Sequence, residues 1–297
     1  MDVLVTGANG FLGKHIVKSL VNDNDIKCLS RTNGDFKVSL ENEIPNFGQK
    51  FDLVIHVAGK AHSVPKTDDE KQSFFKVNVK GTENLLKGLE EAGFPKQFVF
   101  ISSVSVYGVM SGYNINEENP LKAQDPYGNS KILAERLIQN WCKNNNIICT
   151  ILRLPLLIGV NPPGNLGAMI TGLKKGFYFN IAGGNVKKSM VLADDVSKVL
   201  LKVAAVGGVY NLTDGYHPSF YEMSHLINNQ LGKGEISNIP IWVAKIFAFF
   251  GDIIWFNFPL NSDKLSKLNA TLTFDDSKAR QEFGWSPHSV LKEFKIK

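Results

Sequence analysis

Short apolar runs alternate with longer amphipathic stretches through the first half of the chain. The apolar runs predict strands, and the stretches with apolar residues at helical spacing predict helices. The predicted strands cover residues 3–5, 26–30, 53–57, 98–101 and 148–153. The predicted helices cover residues 12–21, 74–92 and 126–144. Strands that alternate with helices predict an α/β fold, a Rossmann-type, doubly wound parallel sheet with helices on both faces.

The sequence pattern changes near residue 160. Loops become richer in Gly, Pro and Asn, and the alternation weakens. Ser219 and Glu222 form a capping box that predicts a helix toward Leu231. We therefore predict a first domain over residues 1–160 and a smaller C-terminal lobe over 161–297, with some of the chain returning to the sheet. The lobe is expected at the carboxyl edge of the sheet, where open α/β sheets bind ligands.

The composition of the chain limits the kinds of ligand that the protein is expected to bind. The 297 residues are enough to bury a sizeable core. The formal charge is 33 − 28 = +5, spread as single lysines rather than as a basic block. This spread argues against a nucleic-acid partner and leaves a solvated surface or a phosphate-bearing substrate.

Cysteine usage and the N-terminus predict a location. Cys28, Cys142 and Cys149 have no disulfide or metal-ligand spacing, so we expect a reducing compartment and no metal site. The chain enters an apolar strand at once, without a signal segment. The expected location is cytoplasmic.

Residues 239–260 are strongly apolar and rich in Trp and Phe. Lys245 and Asp252 interrupt the run, and Pro240 and Pro259 bracket it. A membrane-spanning helix needs about 20 apolar residues with almost no charge. We therefore predict a buried or interface helix, with peripheral contact to a membrane surface as the alternative.

A glycine-rich turn connects the first predicted strand to the first helix in the segment VLVTGANGFLG, residues 3–13. Glycines allow a tight turn, close approach of the backbone to a pyrophosphate, and close packing of helix on strand, while the helix N-terminus attracts phosphate. The alternative is a tight turn without a ligand. The residues predicted to bind a dinucleotide here are Gly7, Asn9, Gly10, Phe11, Leu12 and Gly13.

The end of the second strand bears on which dinucleotide binds. NAD sites place a carboxylate there to bond the ribose 2′-hydroxyl, whereas this strand ends in Ser30 and Arg31. A guanidinium suits a 2′-phosphate, so NADP is the predicted cofactor. The alternative is that Arg31 is an ordinary surface residue and that NAD binds.

Tyr127 and Lys131 lie one turn apart on a helix that begins with proline. An ammonium group at this distance is expected to lower the pKa of the phenol, so that Tyr127 can exchange a proton with a carbinol. Ser103 lies just after the predicted strand at residues 98–101, and it is expected to bond the same substrate oxygen.

Several ordered motifs resemble the extended short-chain dehydrogenase/reductase family, which contains nucleotide-sugar epimerases, dehydratases and 4-ketoreductases. The motifs are TGANGFLG (6–13), HVAGKAH (56–62), VNVKGTENLL (77–86), ISSVSVYG (101–108), PYGNSK (126–131), LRLPLLIG (152–159) and LTFDDSKARQEFGWSP (272–287). The resemblance places Ser103, Tyr127 and Lys131 at the catalytic positions. It also implies a homodimer through the two long helices.

The resemblance implies further site residues. Lys131 would hold the nicotinamide ribose, and Ala58 and Gly59 would pass under the cofactor. Asn78 matches an asparagine of the family, which contacts the cofactor or else only orients backbone and water. His56 is expected to be structural.

For the substrate, the resemblance implies a nucleotide sugar, with UDP as the expected nucleotide. Asn165 and Leu166 resemble the Asn-Leu pair that opens a substrate helix. Lys188 falls where the family usually carries a phosphate-binding arginine, with a solvated loop lysine as the alternative.

Three functions stay open at this point. The first is an NADPH-dependent reductase of a 4-keto nucleotide sugar in surface-polysaccharide synthesis. The second is a UDP-hexose 4-epimerase, acting on UDP-glucose or UDP-N-acetylglucosamine with tightly bound NAD. The third is a non-catalytic dinucleotide sensor. The absence of a carboxylate at Ser30 and Arg31 favours the reductase.

Overall fold

The computed structural model of the protein describes residues 1–61, 65–253 and 262–296. The strands are β1 (Asp2–Thr6), β2 (Asp25–Ser30), β3 (Phe36–Lys37), β4 (Leu53–His56), β5 (Gln97–Ser103), β6 (Gly112–Ile115), β7 (Ile148–Leu154), β8 (Leu156–Ile158), β9 (Asn180–Ile181), β10 (Met190–Leu192), β11 (Gly208–Asn211), β12 (Asn238–Ile239) and β13 (Leu272–Phe274). The α-helices are α1 (Phe11–Leu20), α2 (Asp68–Phe75), α3 (Gly81–Ala92), α4 (Pro126–Asn144), α5 (Gly164–Lys175), α6 (Ala193–Val206), α7 (Phe220–Gln230), α8 (Ile241–Ile253), α9 (Ser262–Leu268), α10 (Ser277–Phe283) and α11 (Val290–Glu293).

Seven strands form one sheet in the order β11-β7-β5-β4-β1-β2-β3. Every neighbouring pair in this sheet is parallel. The chain runs outward from β1 through β2 to β3, and outward in the other direction from β4. The reversal lies between β1 and β4, where doubly wound sheets open a crevice for ligands. This arrangement confirms the predicted fold class.

Both faces of the sheet are buried, which explains why its strands are apolar at successive positions. Along β1, Val3 and Val5 pack on the face covered by α1 and α6, whereas Leu4 packs on the opposite face. On that opposite face, Leu85 of α3 and Ile138 of α4 belong to the core. Successive strand residues point to opposite faces, so a strand between two helix layers needs no polar positions.

One predicted helix begins earlier than expected. The structure has α2 from Asp68, then a π-helical segment over Lys76–Lys80, then α3. Thr67 and Glu70 form a capping box that stabilises the start of α2. The first turns of α2 are exposed, so they carry no apolar periodicity from which to predict a helix. The predicted start at residue 74 is therefore wrong.

The C-terminal half builds a second, smaller core and also returns to the main sheet. Strand pairs β8–β10, β9–β12 and β6–β13 are short and parallel. Helix α7 begins with the predicted capping box of Ser219 and Glu222. Helix α6 packs against α1, and β11 pairs with β7. The division at residue 160 stays a prediction.

The apolar segment 239–260 contains α8, while its residues 254–260 lie outside the described part. Helix α8 buries Ala244 and Ala248 but exposes Trp242 and Phe249. The buried alternative is therefore wrong for α8, because its small residues face the core and its large residues do not, and the interface alternative stays a prediction. No helix within the described residues is long and apolar enough to span a membrane.

Candidate active site

The backbone of the glycine turn packs tightly, with no room for side chains at Gly7 and Gly13. Gly7 has a φ of +68°, a backbone conformation that residues with a side chain rarely adopt. A Cβ on Gly7 would lie 2.7 Å from the Ala58 nitrogen. A Cβ on Gly13 would lie 2.2 Å from the Gly7 oxygen. Among the described residues, no side chain caps the N-terminus of α1 at Gly10. The first N–H groups of α1 can therefore bind an anion such as a pyrophosphate.

Asn9 ties this turn to the end of β2. Its Nδ2 donates to Ser30 Oγ at 2.8 Å and to the Asn33 carbonyl at 2.9 Å. Leu12 lies in the core, so only its backbone is available to a ligand. Phe11 is half-buried and packs edge-on against His15.

Arg31 follows β2 and projects into solvent. Its side chain is 74% exposed, and Nη1 lies 3.9 Å from Glu41 Oε1. Asp35, a neighbouring carboxylate, accepts a hydrogen bond from the Cys28 backbone nitrogen at 2.8 Å. The end of β2 therefore presents a guanidinium, while Asp35 is engaged by the backbone.

The loop after β4 is fixed against the glycine turn by buried hydroxyls. Thr6 Oγ1 accepts hydrogen bonds from the Val57 and Ala58 nitrogens at 3.2 and 3.1 Å. His56 lies between Thr6 Oγ1 at 2.7 Å and Thr82 Oγ1 at 2.9 Å. Burial lowers the pKa of His56 to about 3, so the ring is neutral. Its contacts agree with the expected structural role.

The start of α4 carries Tyr127 to the end of β5. Asp125 caps the helix by accepting from the Gly128 nitrogen at 3.0 Å, and Pro126 begins it. Tyr127 lies within hydrogen-bonding reach of the Ser103 side chain, whose Oγ donates to Ser105 Oγ at 3.0 Å. Burial raises the pKa of Tyr127, against the opposing effect of Ser103, and Asp125 raises it further. The expected lowering of this pKa is therefore wrong.

Lys131 directs its amine beneath the loop after β4. Nζ donates to the Ile101 carbonyl at 2.8 Å and lies 4.4 Å from the centre of the Phe100 ring. A Cβ on Gly59 would lie 3.4 Å from this nitrogen. Burial lowers the pKa of Lys131 to about 8, while Glu135 acts in the opposite direction.

Asn78 uses its amide to hold α4 and the loop after β4 together. Its Oδ1 accepts from the Lys60 nitrogen at 2.7 Å, and its Nδ2 donates to the Lys60 carbonyl at 3.1 Å and to Ser130 Oγ at 2.8 Å. Ser130 precedes Lys131, so these bonds orient the backbone that carries the site. Direct contact between Asn78 and a dinucleotide stays a prediction.

A buried ion pair lies behind the candidate catalytic residues. Arg153 Nη2 contacts Glu135 Oε2 at 2.8 Å, and both side chains are almost fully buried. Ser102 Oγ donates to Glu135, and Arg153 Nη1 donates to the Tyr107 hydroxyl at 3.2 Å. The motifs quoted above do not predict this network. Its one sequence signal is a glutamate one helical turn after Lys131.

The family model described as the NAD dependent epimerase/dehydratase family matches residues 3–213. The chain belongs to this family. This confirms the resemblance and makes the protein an enzyme of an NAD(P)-dependent family.

Two curated relatives match the protein along almost its whole length. A UDP-glucose 4-epimerase from Vibrio cholerae is 28% identical over 317 residues, which cover 98% of this chain and 92% of the relative. An N-acetyl-alpha-D-glucosaminyl-diphospho-ditrans,octacis-undecaprenol 4-epimerase from Escherichia coli O157:H7 is 25% identical over 310 residues, covering 97% and 92%. The solved structure of RMD from Pseudomonas aeruginosa complexed with NADPH superposes with a TM-score of 0.71 at 23% identity, covering 99% and 96%. The structural likeness supports the fold.

The predicted substrate residues of this family member lie in the C-terminal lobe. Asn165 is exposed in the first turn of α5, whereas Leu166 is buried in the core of the lobe. Lys188 is half-buried, and its backbone nitrogen donates to the Pro218 carbonyl at 3.1 Å. Burial lowers the pKa of Lys188. Contact of these residues with a substrate stays a prediction.

Proposed function

We propose that the protein is an NADPH-dependent reductase of a 4-keto nucleotide sugar, with a UDP-sugar as substrate, in the synthesis of a surface polysaccharide. The observation that carries the choice of NADPH is the end of β2. Arg31 is mostly exposed, and its distance of 3.9 Å from Glu41 is long for an ion pair. A loosely held guanidinium can turn toward a 2′-phosphate and bind it through two N–H groups.

The glycine turn fits the pyrophosphate of such a cofactor. The space that a Cβ would occupy at Gly7 and Gly13 is filled by backbone, so the turn packs closely against the loop after β4 and against the start of α1. Ala58, Gly59 and Lys131 would lie along the nicotinamide half. When bound, NADPH supplies the hydride for the carbonyl carbon.

In this proposal Tyr127 is the acid. Its raised pKa keeps the phenol protonated at neutral pH, so it can donate a proton to the carbonyl oxygen at C4 as the hydride arrives. Ser103 lies within hydrogen-bonding reach of Tyr127 and would donate to the same substrate oxygen. Lys131 would hold the nicotinamide ribose. Asn165, Leu166 and Lys188 would contact the nucleotide sugar.

The second candidate is a UDP-hexose 4-epimerase that keeps NAD bound. The names of the two curated relatives favour it. An epimerase would use Tyr127 first as a base and then as an acid, but Ser30 and Arg31 at the end of β2 offer no carboxylate for the NAD that it would keep. The dinucleotide sensor is the weakest candidate, because Ser103, Tyr127 and Lys131 are all present.

Turnover with two substrate classes separates these functions. Purified protein is mixed with NADPH and a UDP-4-keto-6-deoxy-N-acetylhexosamine, and absorbance at the reduced-nicotinamide band is followed. Separately, UDP-glucose and UDP-N-acetylglucosamine are incubated without added cofactor and assayed for inversion at C4. The reductase predicts NADPH consumption in the first assay and no inversion in the second. Inversion without added cofactor would refute it in favour of the epimerase.

Replacing Arg31 tests the choice of cofactor. Arg31→Asp removes the guanidinium and supplies a carboxylate for a ribose 2′-hydroxyl, so we expect the ratio of NADPH to NADH efficiency to fall by about tenfold or more. The matched control is Arg136→Asp, on the helix α4 and away from β2. An unchanged ratio in Arg31→Asp would show that Arg31 does not bind the 2′-phosphate.

A further inference from the structure

Helix α8 reverses the usual relation between side-chain size and burial. It packs through Ala244 and Ala248 against Leu265 of α9. Its large apolar side chains lie outside and form what we call the aromatic face. The members of this face and their exposed fractions are Trp242 (63%), Ile246 (48%), Phe247 (49%), Phe249 (60%) and Phe250 (49%).

The aromatic face is a continuous stripe rather than a scatter of single residues. Trp242, Ile246, Phe249 and Phe250 follow each other at spacings of four, three and one, so they share one side of α8. Single exposed apolar residues need no explanation, but a contiguous apolar surface marks contact with a partner or a membrane.

A lysine borders the aromatic face. Lys245 is exposed and lies one turn from both Trp242 and Phe249. Helix α8 follows β12, which pairs with β9, and the connections into these strands carry exposed Lys175 and Lys233, the latter donating through Nζ to the Leu173 and Lys174 carbonyls. Segments 173–181 and 231–253 together contain four lysines (174, 175, 233, 245) against two acidic residues (235, 252). One of these, Asp252, is held by hydrogen bonds from the Ser262 nitrogen and hydroxyl.

We propose that the aromatic face docks the protein on the surface of an anionic phospholipid bilayer. Helix α8 has 13 residues, which span about 20 Å, short of the roughly 30 Å of a hydrocarbon core. The helix therefore lies in the plane of the interface. Its Trp and Phe rings enter the headgroup boundary, and Lys245 reaches the lipid phosphates.

Charge distinguishes this occupant from a second copy of the chain. The buried centre of a protein–protein interface is depleted of lysine, whereas an interfacial membrane helix places lysines beside its apolar face. Lys245 stands within one turn of the aromatic residues. A lipid surface with negative charge satisfies both the apolar face and its lysines.

Vesicle binding tests this proposal with the full chain. The protein is centrifuged with vesicles of phosphatidylcholine alone or with added phosphatidylglycerol, at low and at high salt. We expect binding to the anionic vesicles that weakens with salt. The double variant Phe249→Ser/Phe250→Ser should lose about tenfold or more in affinity. The control Phe94→Ser, at an exposed position outside α8, should bind like the wild type.

The other outcomes overturn the proposal. These are no binding of the wild type to either vesicle, or equal binding by the wild type and the double variant. In a third outcome, the wild type binds no lipid and runs as a dimer in size-exclusion chromatography, whereas the double variant runs as a monomer. That result would assign the aromatic face to a second copy of the chain. Thermal unfolding of each variant checks that it folds. Lys245→Glu keeps the aromatic face intact and should weaken binding to anionic vesicles only, so it tests the proposal even if the double variant misfolds.

Discussion

Two regions of the molecule depart from ordinary burial in opposite directions. At the carboxyl end of the main sheet, Lys131, Glu135 and Arg153 are buried. On α8, Trp242 and Phe249 are exposed. Buried charges and exposed aromatic stripes are both unusual in a folded protein. The difference teaches that the buried charges are held by partners inside the protein, whereas the large apolar side chains of α8 have no such cover among the described residues, as the proposed membrane contact requires.

The two regions also differ in what they contribute to folding. The Glu135–Arg153 pair is enclosed, so the loss of one partner leaves an uncompensated charge in a poor solvent. The aromatic face of α8 is already in water, so its removal takes away little that the folded state needs. Substitutions near the sheet should therefore damage turnover or stability, and substitutions on the aromatic face should damage neither.

Tyr127→Phe should produce the largest effect. It removes the acidic proton but keeps the ring against Phe74, so turnover should fall by about a thousandfold while NADPH still binds. Turnover is followed by NADPH consumption, and binding by fluorescence titration. The control is Tyr113→Phe on β6, an exposed position that should behave like the wild type. Equal turnover in Tyr127→Phe would remove this residue from the mechanism.

Glu135→Gln should give the largest loss of stability. The guanidinium of Arg153 would keep its place without its charged partner, and we expect the free energy of unfolding to fall by about 3–5 kcal/mol. Urea denaturation measures this change. Glu83→Gln breaks the exposed pair with Lys80 and should cost less than about 1 kcal/mol. Similar losses of unfolding free energy in both variants would contradict the claim that burial makes the Glu135–Arg153 pair more costly to break than an exposed pair.

Gly13→Ala should have an intermediate effect. The added Cβ would meet the Gly7 oxygen at 2.2 Å, so backbone must move, at a cost of about 1–3 kcal/mol in the free energy of unfolding. The same movement should weaken NADPH binding. Gly234→Ala is the control, because a Cβ there meets nothing within 4 Å. A Gly13→Ala variant with unchanged affinity and stability would show that the turn tolerates a side chain.

The buried amine of Lys131 should make the free energy of unfolding depend on pH. Burial lowers its pKa from 10.5 to about 8. Between these values the unfolded chain binds the additional proton, so this group makes the free energy of unfolding rise with pH, by up to about 1.4 kcal/mol per pH unit. Below pH 8 its contribution is constant. Lys131→Met should lack this rise, and urea denaturation from pH 7 to 10 compares the two proteins. Parallel curves would contradict the lowered pKa.

Local patterns predicted most of the main sheet and the core of the candidate site. Apolar runs revealed β1, β2, β4, β5 and β7, because a strand buried on both faces needs no alternation. The motifs place Ser103 and Tyr127 on one substrate oxygen, and the structure brings the two side chains within reach of each other. The capping box at Ser219 also predicted the start of α7 correctly. Each of these features depends on residues that lie close together in sequence or at the ends of neighbouring strands.

Features that depend on distant contacts were not predicted. The Glu135–Arg153 pair joins α4 to β7, and nothing local in either element specifies the partner. The pKa of Tyr127 was predicted in the wrong direction, because burial dominates it and the Lys131 amine is drawn to the Ile101 carbonyl. The sequence also left open whether α8 is a buried or an interface helix. Its sequence is apolar on nearly every side, so periodicity does not show which side faces the protein.

The central claim is that Tyr127 and Lys131 serve the reduction of a C4 ketone beside a dinucleotide on the glycine turn. Hydride transfer from NADPH that carries deuterium at both C4 positions of the nicotinamide tests it most directly. With a UDP-4-keto-6-deoxy-N-acetylhexosamine, the account predicts deuterium at C4 of the sugar and one NADP formed for each product. A product without deuterium, or C4 inversion of a UDP-hexose with no net use of NADPH, would contradict it.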